Sequence, residues 1–149
     1  MDIENLKDRP AHLLSYGQKK RVTIASVLSM NPKVIIFDEP TAGLDPAHAS
    51  EIIALLDKLH QSGKTIIIST HDMNLAYQWA DRIILLNNGK IVGDDTGTKV
   101  FDNQDVLHKC GLELPLILQI FNGFKEADMT PPKTIKQLLN LIKSASCVE

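Results

Sequence analysis

Two adjacent carboxylates carry the first chemical signal in the chain. The run Val34-Ile35-Ile36-Phe37-Asp38-Glu39-Pro40 is apolar and mostly β-branched before it meets its two acids. An apolar run without alternation reads as a strand buried on both faces. Its end then lies at the carboxyl edge of a parallel sheet, where open α/β folds bind ligands. Asp38 is placed to hold Mg²⁺, directly or through water, because that ion takes few protein carboxylates alongside phosphate oxygens. Glu39, one residue on, is placed to orient and deprotonate an attacking water. The same pair also reads as two acids marking a solvated strand end. Three further segments bear on the choice: Leu14–Gln18 upstream, Ala42–Asp45 just after, and Ser69-Thr70-His71-Asp72 closing the next apolar run.

The elements that must position these groups alternate helix and strand. Ser15 followed three positions later by Gln18 is a capping-box signature, and Val22, Ala25 and Leu28 recur at helical spacing. Asn31-Pro32 breaks that helix before the Val34–Phe37 strand. Asp45-Pro46 suits the start of a second helix, Asp as cap and Pro at the first turn, with Ile52, Leu56 and Leu59 as its stripe and Gly63 as its stop. Thr65–Ile68 reads as the next buried strand, followed by a short helix over Met73–Trp79. Arg82–Leu86 and Lys90–Val92 flank Asn87-Asn88-Gly89, whose residues accept positive φ, and so form an antiparallel hairpin. The fold class is α/β, a parallel-sheet core with a C-terminal antiparallel hairpin. After Gly97 helical pieces are expected near Lys99–Phe101, Gln104–Lys109, Leu116–Phe121 and Thr134–Lys143, with Thr130-Pro131-Pro132 between the last two. The expected division is 1–96 for the sheet domain and 97–149 for a small helical appendage, packed on that domain or held for a partner.

Composition narrows the partners. The 149 residues are 44% hydrophobic and 23% charged, as in ordinary globular domains and unlike disordered chains. Lys and Arg total 16 against 18 acidic residues, so no broad basic surface is available and nucleic acid is not expected as a partner. No apolar run approaches the ~18 residues that span a bilayer, and Met1–Pro10 has no apolar core of a secretory signal. Cys110 and Cys147 lack metal-ligand spacing and read as free thiols, so a soluble, intracellular chain is expected. Lys19-Lys20-Arg21 reads as a solvated helix face, and Tyr77 and Trp79 as packing residues. His12, His48, His60 and His108 show no ligand spacing.

Taken in order, the four segments resemble the ATPase domains of ABC transporters. Leu14-Ser15-Tyr16-Gly17-Gln18 is similar to that family's signature motif, with Tyr16 where glycine is usual. Val34–Glu39 resembles its Walker B strand and following glutamate, Ala42-Gly43-Leu44-Asp45 its D-loop, and His71 its switch histidine. Four motifs in family order and spacing are far more specific than one, and the resemblance runs from Leu13 to Val92. It implies a P-loop-NTPase-type core with ATP and Mg²⁺ as ligands. Glu39 would be the general base, Asp38 would serve Mg²⁺, and His71 would sense the γ-phosphate. Ser15, Gly17 and Gln18 would act on the nucleotide of a second ABC ATPase subunit, since a helix N-terminus suits a phosphate and Gly17 admits close approach. Asp45 would cap its helix and also meet that subunit.

The family's Gly-rich phosphate loop, GxxxxGK[ST], is not found in these 149 residues; Gly63-Lys64 and Gly89-Lys90 are the Gly-Lys pairs, and neither has the required spacing. The chain therefore resembles the C-terminal half of such a subunit. Alone it is expected to bind nucleotide weakly, to hydrolyse it hardly at all, and to expose an apolar sheet edge that favours association. Leu14–Arg21 followed by Val22-Thr23-Ile24-Ala25, with Gly97–Phe101 and Leu112–Pro115, is similar to the cobalt and nickel branch of the energy-coupling-factor importers. That resemblance implies a transmembrane coupling subunit, a separate substrate-capture component, and a peripheral place on the cytoplasmic face of the membrane. Two other readings remain at this level: a fragment of a non-transport ABC ATPase, or a non-catalytic interaction remnant that donates only the signature helix.

Overall fold

A computed structural model describes residues 3–126 and 129–145. By its internal contacts the chain divides after His71 into two compact units.

The first unit opens with two 3₁₀ turns, Glu4–Leu6 and Ala11–Leu13, and then runs α1 (Tyr16–Ser29), β1 (Val34–Asp38), α2 (Pro46–Gln61) and β2 (Thr65–Ser69). Ser15 caps α1 with the complete capping box: its side chain accepts from the Gln18 amide at 3.3 Å, and the Gln18 side chain accepts from the Ser15 amide at 3.0 Å. Asn31, at φ 47°, turns the chain out of α1. Asp45 caps α2 and Pro46 occupies its first turn, as the residue types require. Gly63, at φ 86°, ends it. β1 and β2 pair in parallel, Val34 opposite Thr65 through Asp38 opposite Ser69, which brings both strand ends to one edge. Ile35, Ile24, Ile52 and Leu56 are buried, while Leu59 is half-buried. Each fully buried aliphatic side chain contributes about 1.5–3 kcal/mol.

Burial of the strands differs from the sequence expectation. Val34 and Ile36 share one face of β1, with Ile67 beside Ile36 in β2, and these are 52%, 71% and 48% exposed. The strands are thus covered on the Ile35 face and open on the other. Their β-branched composition encodes a two-sided burial that no element among the described residues supplies on the Ile36 face. An open, mainly apolar groove of about 370 Å³ also runs between α1 and β1, lined by Ile24, Val27, Leu28, Ile35, Ile36 and Phe37 among others.

The second unit contains α3 (Met73–Trp79), the hairpin β3 (Ile83–Asn87) and β4 (Lys90–Asp95), then α4 (Gly97–Asp102), α5 (Gln104–Cys110), α6 (Leu116–Asn122) and α7 (Ile135–Ala145). The hairpin turn places Asn88 at φ 49° and Gly89 at φ 72°, and a bulge interrupts the pairing between Leu85 and Leu86. Tyr77, Ile83, Leu85, Val100, Phe101, Leu107, Ile117, Leu118, Phe121 and Leu138 form one buried cluster, so the helices after Gly97 share a core with the hairpin. Tyr77 meets Phe101 edge to face at 5.8 Å, in keeping with a packing role. Cys110 is a free thiol; Cys147 lies outside the described residues. No helix among the described residues is long and apolar enough to cross a membrane.

Candidate functional site

The parallel register sets the site. Asp38 ends β1 directly opposite Ser69, which ends β2, and the Ser69 hydroxyl donates to Asp38 Oδ1. The pairing continues one residue beyond β1: the Glu39 amide donates to the Ser69 carbonyl at 3.0 Å. Glu39 itself stands at φ 44°, in the left-handed region that a non-glycine residue rarely occupies. That turn carries its side chain toward the segment leaving β2. Its Oε1 accepts from the His71 amide at 3.0 Å and from the His71 ring Nδ1 at 2.6 Å, while the Thr70 hydroxyl lies 3.4 Å from Oε2.

The electrostatics follow from those contacts. The hydrogen bond with the His71 ring is the chief reason the Glu39 carboxyl sits below the usual carboxylate range; partial burial opposes it, and the His71 amide adds to the lowering. A carboxylate can only accept, so the ring donates from Nδ1, and in the neutral imidazole Nε2 is then the acceptor nitrogen. The His71 side chain is 82% exposed, so this imidazole is presented at the surface. Glu39 is thus an ionised carboxylate whose orientation is set by the His71 amide and imidazole. Asp38 is exposed and its Oδ1 takes the Ser69 hydroxyl. Among the described residues no group of three or more acidic, histidine or cysteine side chains converges on a metal position. Mg²⁺ does not demand one, since it is commonly held by one or two carboxylates with waters and phosphate oxygens. Asp38 with Ser69 fits that limited role.

The remaining predicted residues fall into two groups. Ser15, Gly17 and Gln18 lie together at the start of α1, where the capping box satisfies the Gln18 amide; the amides of Tyr16 and Gly17 belong to the first turn, which has no intrahelical acceptor. A Cβ built on Gly17 would meet only ordinary contacts, 3.7 Å to His48 Cδ2 and 3.9 Å to Leu44 Cδ2, so nothing within this unit demands glycine there. Asp45 is held by α2: Oδ1 accepts from the His48 amide at 3.0 Å and Oδ2 faces His48 Nδ1 at 2.6 Å. The His48 amide is the first cause, and the His48 ring the second, that lower the Asp45 carboxyl.

Three residues with local roles were not singled out in the sequence. His48, set aside for lack of ligand spacing, closes on Asp45, and the signal was its position three residues after a helix cap. Ser69, at the end of β2, partners Asp38 across the sheet. Lys20, placed in a solvated run, is the larger correction. It is half-buried, and its Nζ donates to the Glu39 carbonyl at 3.0 Å. Its neighbour Arg21 is half-buried too, with Nη1 3.6 Å from Glu51, whereas Lys19 is exposed as expected. Helical spacing from Tyr16 and Ile24 was the available sign, because residues four apart share a face.

Comparison with known proteins bears on this geometry. A family model described as "AAA domain, putative AbiEii toxin, Type IV TA system" matches residues 1–76. The energy-coupling factor transporter ATP-binding protein EcfA2 of Methanospirillum hungatei is 44% identical over 142 residues, covering 95% of this chain and 36% of that protein. EcfA of Carboxydothermus hydrogenoformans is 40% identical over 143 residues, 96% of this chain and 52% of its own length. The chain therefore spans about half, or less, of these curated relatives. Among solved structures, CbiO1 of Clostridium perfringens, described as part of the ABC transporter complex CbiONQ, is 46% identical with a TM-score of 0.61, covering 80% of this chain and 48% of that one. A dimeric ATP-binding cassette in a post-hydrolysis state bound to ADP and Pi is 38% identical with a TM-score of 0.57, over 62% of this chain and 40% of that one.

Proposed function

Because the chain belongs to the ABC transporter ATP-binding family, we propose that it is the part of an ATP-hydrolysing importer subunit that activates water and faces a second subunit. The observation that carries this reading is the Glu39–His71 pair: a carboxylate at the carboxyl edge of a parallel sheet, 2.6 Å from an exposed imidazole. In this reading Glu39 orients the attacking water and takes its proton, and His71 keeps the carboxylate aimed while presenting its other ring nitrogen to the γ-phosphate or the water. Asp38 and Ser69 would hold Mg²⁺, which supplies charge neutralisation at the phosphates. Ser15, Gly17 and Gln18 serve the nucleotide of the partner subunit through the first-turn amides of α1. The freedom around Gly17 supports this, since its lack of a side chain then answers to a ligand from outside the chain. Asp45 contacts the same partner while capping α2.

Residues 1–96 carry the ATPase motifs in this reading and residues 97–149 the helical appendage. The phosphate-cradling loop would come from the portion of the subunit that the relatives have and this stretch does not align with. The importer would be of energy-coupling-factor type, peripheral on the cytoplasmic face, with a transmembrane coupling subunit and a substrate-capture component. Support comes from the similarity to EcfA2 and EcfA and from the likeness to CbiO1, part of an ABC transporter complex; cobalt or a related metal ion as cargo rests on the sequence resemblance alone.

The test joins the chain behind the phosphate-loop half of a relative such as EcfA and measures ATP turnover. Glu39→Gln is expected to lower kcat by about 10²–10⁴ while ATP affinity holds, the range for loss of a general base. Turnover at the parent's rate would refute the assignment of the base.

A further inference from the structure

Lys20 has a partner at the centre of the site. Its Nζ donates to the Glu39 carbonyl at 3.0 Å, and the same oxygen accepts from the Ala42 amide at 3.2 Å. The Glu39 amide is meanwhile bound to the Ser69 carbonyl at 3.0 Å. The peptide groups around Glu39 are therefore fastened to the end of β2 on one side and to α1 on the other. That fastening opposes a cost. Glu39 sits at φ 44°, and a non-glycine residue held in this region persists only where its surroundings over-determine it.

The ammonium is itself held. Tyr16, one helical turn earlier, presents its ring 5.7 Å from Lys20 Nζ, within cation–π range. The edge of that ring also passes beside Gly43, 3.6 Å from where a Cβ would stand. Partial burial lowers the affinity of the Lys20 amine for its proton and the Glu39 charge opposes that lowering. The first turn of α1 thus connects through Tyr16 and Lys20 to both Glu39 and the Ala42–Asp45 loop.

We propose that Lys20 is a positioning residue, holding the Glu39 backbone in its left-handed conformation and so tying the start of α1 to the residue that activates water. The catalytic half of this inference rests on the ATPase reading above; the tie rests on the hydrogen bonds alone.

The experiment compares Lys20→Met, which keeps the apolar stem, with Lys20→Arg, which keeps a donor. In the 149-residue chain, amide hydrogen exchange at Glu39 and Ala42 is followed by NMR. Lys20→Met is expected to speed exchange at both by about five- to tenfold, the loss of one charge-assisted hydrogen bond, with α2 amides unchanged and Lys20→Arg largely restored. In the ATP-hydrolysing fusion described above, Lys20→Met is expected to lower kcat about tenfold with KM for ATP within about twofold, and Lys20→Arg to recover most of it. Unchanged exchange at Glu39 and Ala42 overturns the tie. Faster exchange with unchanged kcat overturns the positioning role. Parent-like turnover in Glu39→Gln removes the base assignment and the catalytic half with it, while exchange still decides the tie. Should Lys20→Met fail to fold, Lys20→Gln, shorter but still a donor, takes its place with a smaller effect in the same direction.

Discussion

Replacing Ile36 and Ile67 with threonine should separate folding from association. Both side chains lie on the open face of β1 and β2 with Val34, at 71%, 48% and 52% exposure respectively. With full burial of a Val or Ile worth about 1.5–3 kcal/mol, that face leaves roughly 3–5 kcal/mol per copy available on being covered. Two copies meeting face to face therefore gain about 5–10 kcal/mol against an association cost of about 4–15 kcal/mol. Only the favourable end of that range leaves a net gain, about 6 kcal/mol at most, so the expected outcome is weak self-association with Kd no tighter than tens of micromolar. Threonine keeps the β-branch that suits a strand and a methyl group, but removes much of the apolar surface. The double variant should weaken association by at least about 2 kcal/mol per pair, or thirtyfold. Sedimentation velocity across a dilution series reads the association, and the urea midpoint reports whether the variant is still folded. A parent that stays monomeric throughout would refute the reasoning, as would a double variant that associates like the parent.

Leu56→Ala removes a fully buried α2 side chain and should cost about 2–5 kcal/mol in urea unfolding. Gly97→Ala puts a Cβ 3.0 Å from Tyr77 Cδ2 and 3.3 Å from Ile83 Cδ1, so a destabilisation of about 1–3 kcal/mol from overpacking is expected in the same assay. Arg82 holds the Asp94 carboxyl low through hydrogen bonds of 2.6 and 2.7 Å, and a carboxyl lowered on folding stabilises above its unfolded pKa of about 3.9 and loses that contribution as pH falls through the folded value. The urea midpoint of Arg82→Lys should therefore lie below the parent's at neutral pH and converge with it in acid; a gap that persists once the carboxyl is protonated in both the folded and the unfolded chain would show that packing, not charge, is responsible. Calorimetry of the 149-residue chain with millimolar Mg²⁺–ATP should give no detectable heat, and saturable binding would mean that groups other than a Gly-rich loop grip the phosphates.

Much of this architecture was legible because it is local. The Ser15–Gln18 cap, the Asp45-Pro46 start, the positive φ of Asn88-Gly89 and the helix after Gly97 each depend on residues within a few positions of one another. The site was legible for a different reason: a parallel pair of strands must bring the ends of Val34–Asp38 and Thr65–Ser69 together, so Glu39 and His71 had to approach. What escaped was of longer range. Whether a β-branched strand is covered on both faces depends on what lies against it, and the composition of β1 and β2 carries no sign that the Ile36 face is open. Lys20 was misplaced because a run of three cations hides helical phase. Position 20 shares the Tyr16–Ile24 face that turns toward the sheet, and charge alone does not reveal that.

The two carboxylates at the end of β1 are adjacent in sequence yet are held in opposite ways, and this difference supports separate roles. Asp38 remains in the strand, exposed, and its Oδ1 accepts from the Ser69 hydroxyl across the register. An exposed carboxylate of this kind is open to a cation and its waters. Glu39 has left the strand: its left-handed backbone is held through its amide by Ser69 and through its carbonyl by Lys20 and Ala42, and its carboxylate by His71. In the proposed role as base, Glu39 would benefit from that over-determination, because small displacements at a reacting atom cost large factors in rate. A residue continuing the strand from Asp38 would follow the pleat away from His71, and the left-handed turn is what brings the second carboxylate to the imidazole.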